Sequence, residues 1–100
     1  MLAELTGFQR DLLFVLCGMD TPSGSEIMRE VEQSQDRSVL HGRLYSNLDE
    51  LVEAGFVEKG ELDGRTNYYS LTEAGYERLR ARHEWEGGYL EARSGETDAE

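Results

Sequence analysis

The stretch HGRLYSNLDELVEAGFVEKG (41–60), followed three residues later by GRTNYYSLT (64–72), decides the fold. Leu44, Leu48, Leu51 and Val52 lie four, three and one residues apart, the apolar face of a helix, with Leu40 one turn earlier. The pattern predicts a helix from Val39 or Gly42 to Ala54. Gly55 is its natural stop, because glycine enters the left-handed region beyond a helix without penalty. The helical period then ceases. Phe56-Val57-Glu58-Lys59 and Asn67-Tyr68-Tyr69-Ser70-Leu71 read as two strands, and Asp63-Gly64 between them is a hairpin turn signal.

Upstream, two further helices are expected. Thr6 and Gln9 make a capping box, and Phe8, Leu12, Val15, Leu16 and Met19 follow at helical spacing until Gly18 and Asp20–Pro22 end the run. Ser23 and Glu26 make a second box, with Ile27, Val31 and Met28 behind it, and Ser34-Gln35-Asp36 reads as a turn. Downstream, a fourth helix starts at Thr72, where Glu73 suits the positive end of the helix dipole. Tyr76, Leu79, His83 and Leu90 line one of its faces, and Gly87-Gly88 is expected to weaken it. The order helix, helix, helix, hairpin, helix is mainly α with a small β-hairpin: a winged helix-turn-helix with a C-terminal helix. Residues 1–71 form the expected winged domain, 72–93 a dimerisation helix, and 94–100 an acidic tail expected to be disordered.

One hundred residues make one domain with a modest core, so self-association would be a natural supplement. The net charge of −11 runs against a nucleic-acid partner, which normally meets a basic footprint. Ten residues are cationic, and Lys59 is the only lysine among them, which leaves nine arginines. Such an acidic, lysine-poor composition fits a cytoplasm at very high salt, where self-repulsion is screened. The apolar run 12–19 is too short to span a bilayer and has no cleavage-site pattern, so no membrane role is expected. Cys17 within it is expected to be a small buried hydrophobe. A single cysteine and two separated histidines suggest no metal or cofactor.

The distribution of acids answers the charge objection. The longest stretch without Asp or Glu is RSVLHGRLYSNL (37–48), and the next is GRTNYYSLT (64–72). These cover the entry and first half of the third helix, and the hairpin tip with its returning strand. A winged helix presents these parts to DNA, and phosphates repel carboxylates there. Arg43, Ser46, Asn47 and Glu50 share a side of the helix away from the leucines. Arg pairs bidentately with guanine and Asn with adenine. Tyr45 borders both faces and fits core packing equally well. Arg37 and His41, at the helix entry, are candidates for phosphate contact, with helix capping the other reading of His41. On the wing, Lys59, Arg65, Thr66 and Tyr68 are candidates for phosphate or minor-groove contact, which would position the protein without reading sequence. For Thr66 and Tyr68, cross-strand packing is an equal alternative.

The joined segments 41–60 and 64–75 resemble the PadR family, through Leu44-Tyr45, Leu48, Leu51, Gly55-Phe56-Val57, Arg65, Tyr68-Tyr69, Leu71-Thr72 and Gly75. The resemblance spans about residues 5–86. It departs at Ser46, where the family usually has proline. It implies a homodimeric transcriptional regulator, often a repressor, binding an inverted-repeat operator in double-stranded DNA and pairing through its terminal helices. Leu5, Phe8, Tyr76, Leu79, His83 and Trp85 are the candidate dimer contacts, with Leu2 and Tyr89 beside them. No effector pocket is legible. An enzyme is disfavoured by the lack of a phosphate loop or catalytic set. The remaining alternative is a winged-helix protein-interaction module without DNA binding, which would account for the net charge but need not keep two acid-free windows.

Overall fold

A computed structural model describes residues 5–62 and 64–95. Helices α1 (Gly7–Cys17), α2 (Gly24–Gln35) and α3 (His41–Glu53) precede strands β1 (Val57–Leu62) and β2 (Thr66–Leu71) and the long helix α4 (Glu73–Ser94). This is the expected order of a winged helix-turn-helix.

Three helix starts are set by local chemistry. The Thr6 hydroxyl accepts from Gln9 N at 3.1 Å while the Gln9 amide oxygen accepts from Thr6 N at 3.2 Å. Ser23 and Glu26 repeat this exchange at 3.2 and 2.8 Å. Thr72 caps α4 by accepting from Gly75 N, and its own hydroxyl donates to Gly55 O at 2.7 Å. That second bond ties the start of α4 to the end of α3. Gly55 adopts φ +87°, as a stop in the left-handed region requires.

The core collects Phe8, Leu12, Leu13 and Leu16 of α1, Ile27 and Val31 of α2, Val39, Leu44, Leu48 and Leu51 around α3, Phe56, Val57 and Tyr69 of the hairpin, and Leu79 of α4. Strands β1 and β2 pair antiparallel, with Lys59 opposite Tyr69 and Gly60 opposite Tyr68. The segment before α2 makes a single bridge to β2: Tyr69 N donates to Pro22 O at 2.9 Å, and Ser23 pairs with Tyr68. The wing is therefore anchored at its base to the start of α2.

Four expectations need correction. Cys17 is exposed, not buried, and Phe14 beside it is 41% exposed. An apolar run on a helix still has an outward side, and these positions lie on it. Leu40 is 77% exposed, because it is the residue before α3 and has left the helical face. The strands run longer than the sequence predicts, from 57 to 62 and from 66 to 71. Finally, α4 passes through Gly87-Gly88 unbroken and ends in Gly95 at φ +79°. The Arg80–Glu84 and Arg82–Glu86 pairs, each four residues apart, support the turns before the glycines. Ser94 thus closes the helix. Residues 96–100, like Leu2 and Asp63, lie outside the described residues.

Candidate nucleic-acid interface

Helix α3 begins without a side-chain cap: Leu40 offers no acceptor, and no acidic residue lies in the first turn. The unpaired N–H groups there remain available to a phosphate oxygen. His41, Gly42, Arg43 and Ser46 are exposed on this first half of the helix. The His41 ring tilts against Tyr45 with centroids 4.6 Å apart, so His41 stacks and does not cap. Tyr45 is half-buried. Its phenol lies over Gly24 at the start of α2, where a Cβ would collide with the ring. The ring packs between α2 and α3, as the core-packing reading expects.

Arg43 and Asn47 are not simply solvated. The Arg43 guanidinium carbon sits 4.0 Å above the Phe8 ring. Asn47 donates to Arg43 O at 2.8 Å and accepts from Gln9 Nε2 at 3.0 Å. Gln9 Nε2 also donates to Glu50 Oε1 at 2.8 Å. Asn47 and Glu50 therefore face α1, on the flank of α3. An amide held at both ends is poorly placed to read adenine. Gln9, buried at 7% exposure, is the residue that sequence reasoning missed as a partner of α3. Its capping-box role was legible, but its second partner lies 38 residues away.

At the wing, Arg65 and Thr66 are exposed near the tip, beside Gly64 at φ +68°. Tyr68 is half-buried on the outer face, opposite Gly60. Together with Thr21, Glu58 and Ser70 it borders an open groove of about 520 Å³. Lys59 of β1 is ion-paired. Its ammonium sits 3.6 Å from Asp49 Oδ1, so it reaches back to α3 instead of standing free on the hairpin. Strand β1 also carries exposed Glu58 and Glu61, so the acid-free part of the wing runs from Gly64 through the returning strand. Arg37, exposed in the α2–α3 turn, donates to Gln35 Oε1 at 3.1 Å. Tyr69 is buried where β2 meets the start of α2. Burial first, then the Asp49 carboxylate, then Tyr45, raise its phenol above the ordinary tyrosine value.

Among the expected dimer contacts, Phe8 and Leu79 are already buried in the protomer's own core, at 6% and 3% exposure, and can add little area elsewhere. Leu5 is half-buried against the same core. Tyr76 and Trp85 are exposed, as are Tyr89 and Leu90. His83, also exposed, meets Phe14 of α1 edge-on, with centroids 6.5 Å apart. Trp85 packs edge-on against Tyr89 at 5.1 Å, with Arg82 over its ring. Tyr76, His83 and Leu90, seven residues apart, share one face of α4 and lead to Phe14 of α1, while Trp85 and Tyr89 lie on the opposite face.

Residues 12–81 match the transcriptional regulator PadR-like family. The chain belongs to that family. This PadR-like chain is similar to RosR of H. salinarum, in a crystal grown from NaBr, at 40% identity over 96% of each chain, with a TM-score of 0.78. It is also similar to RosR in the RosR-S1 complex structure, at 46% identity over 88% of this chain and 78% of that one, with a TM-score of 0.82. F93 from STIV, a winged-helix DNA-binding protein, shares the fold at 20% identity over 83% of this chain and 90% of that one, with a TM-score of 0.71. No curated protein matches the chain significantly. Among the described residues, no helix is long and apolar enough to cross a membrane. No group of three or more His, Cys, Asp or Glu there is placed to hold a metal ion.

Proposed function

We propose that this PadR-like regulator binds double-stranded DNA as a homodimer, with the first half of α3 in the major groove and the wing tip on the flanking backbone, and represses transcription. The observation that carries the reading is the uncapped, acid-free entry of α3, which presents His41, Arg43, Tyr45 and Ser46 in a chain of net charge −11. Arg43, exposed and held only by stacking on Phe8, is the proposed base reader, its guanidinium swinging off that ring when the duplex binds. Arg37, His41, Arg65 and Thr66 are proposed to position the duplex. The dimer is proposed to form through residues 72–93, where Tyr76, Trp85, Tyr89 and Leu90 are exposed, with Phe14 and His83 at its edge. Two such domains would prefer an inverted repeat with half-sites about one helical turn apart. The acid-rich, lysine-poor surface fits a cytoplasm at high salt.

The test is selection of bound duplexes from a random library at molar salt, followed by Arg43→Ala. Wild type should enrich an inverted repeat. The variant loses one bidentate base contact in each half-site, two per dimer at about 1–3 kcal/mol each, so it should lose about thirtyfold or more on that repeat and far less on a scrambled duplex. Lost stacking on Phe8 should cost about 0.5–1 kcal/mol of stability. Failure to enrich any duplex would favour an interaction module instead.

A further inference from the structure

We infer that Lys59 supports DNA binding through Asp49: it neutralises that carboxylate in the angle between the reading helix and the wing and does not itself grip a phosphate. The inference rests on the proposed DNA-binding reading and assigns one residue pair within that site.

Asp49 is the first acid after the clear window 37–48. It lies four residues after Tyr45 and three after Ser46, so on a helix its side chain neighbours both, with Cβ atoms about 5–6 Å apart. A duplex that touches Tyr45 and Ser46 therefore meets Asp49 next. The Asp49 side chain is 62% exposed and visible to that duplex. Across the angle stands β1, which packs on α3. Lys59 is on the inward side of β1, opposite buried Tyr69, and its stem carries the ammonium back to 3.6 Å from Asp49 Oδ1. Arg43, by contrast, is drawn to the α1 side of the helix by Phe8.

In water, a lone carboxylate several ångströms from a phosphate weakens binding by roughly three- to tenfold. A cation placed beside it removes most of that repulsion. Lys59 is the chain's only lysine, and a long flexible stem with a point charge suits this span. The second acid of this turn, Glu50, is turned to the α1 side by Gln9 at 2.8 Å, so Asp49 is the acid of this turn that meets β1.

A four-protein cycle separates this role from direct contact: wild type, Lys59→Met, Asp49→Asn and the double variant, each titrated against the library-selected duplex over a salt series. Lys59→Met should weaken binding roughly three- to tenfold. Asp49→Asn should bind at least as tightly as wild type. The double variant should match Asp49→Asn, with the same salt slope. Lys59→Arg, which keeps the charge, should retain wild-type affinity, and melting curves establish that each variant folds. If Lys59 grips a phosphate, Lys59→Met will weaken binding equally in both backgrounds and lower the salt slope by about two, one per protomer, and the inference is overturned. No loss in Lys59→Met also overturns it. Failure of wild type to bind any selected duplex would instead overturn the DNA-binding reading itself.

Discussion

Replacing Gln9 by alanine should loosen α3 from α1, and its cost follows from the bonds the side chain makes. Gln9 Nε2 donates to Asn47 Oδ1 at 3.0 Å and to Glu50 Oε1 at 2.8 Å, while its Oε1 accepts from Thr6 N at 3.2 Å. A bond to a carboxylate is ordinarily the stronger kind, but Glu50 is exposed and rehydrates once released. Both bonds to α3 therefore count about 1 kcal/mol each. The reciprocal half of the capping box adds about 0.5 kcal/mol, and alanine's helix propensity returns a few tenths. The sum is about 2 kcal/mol, and a domain of this size loses about 4–8 °C of melting temperature per kcal/mol, so a fall of about 8–16 °C is expected. Circular dichroism melts at fixed molar salt measure it. Gln9→Glu is the stringent companion. It places a carboxylate against Glu50, so it should be less stable than Gln9→Ala at neutral pH and recover as pH approaches about 4, where carboxylates protonate. A melting shift below about 2 °C for Gln9→Ala, or a glutamate variant as stable as wild type, would refute the claim that this network holds α3.

Trp85→Glu should abolish self-association, read as a halving of mass by light scattering at high salt, while its melting curve stays cooperative. A dimeric variant would move the interface off this part of α4. Tyr69→Phe should extend the alkaline limit of folding. The Tyr69 phenol is raised above 10.0 in the folded chain, so its contribution is complete below the unfolded value and disappears as pH rises through the folded one. Base titration followed by circular dichroism should therefore show wild type unfolding at lower pH than Tyr69→Phe, and coincident curves would remove Tyr69 as the cause.

The sequence alone determined the order of the elements and where the helices start, and it marked the two windows that are free of acids. Capping at Thr6, Ser23 and Thr72, the stop at Gly55 and the switch of hydrophobic period after it all act within three or four residues, so they are legible without a fold. The clearing of acids from 37–48 and 64–72 is likewise a property of the chain. Only the tertiary structure decided what the polar side chains do once α1, α3 and the wing meet. It turned Asn47 toward Gln9, laid Arg43 on Phe8, drew Lys59 to Asp49, buried Phe8 and Leu79, and left Cys17, Phe14 and Leu40 outside. Helical spacing shows which residues share a face. It does not show which faces another element covers, because that depends on contacts between residues tens of positions apart.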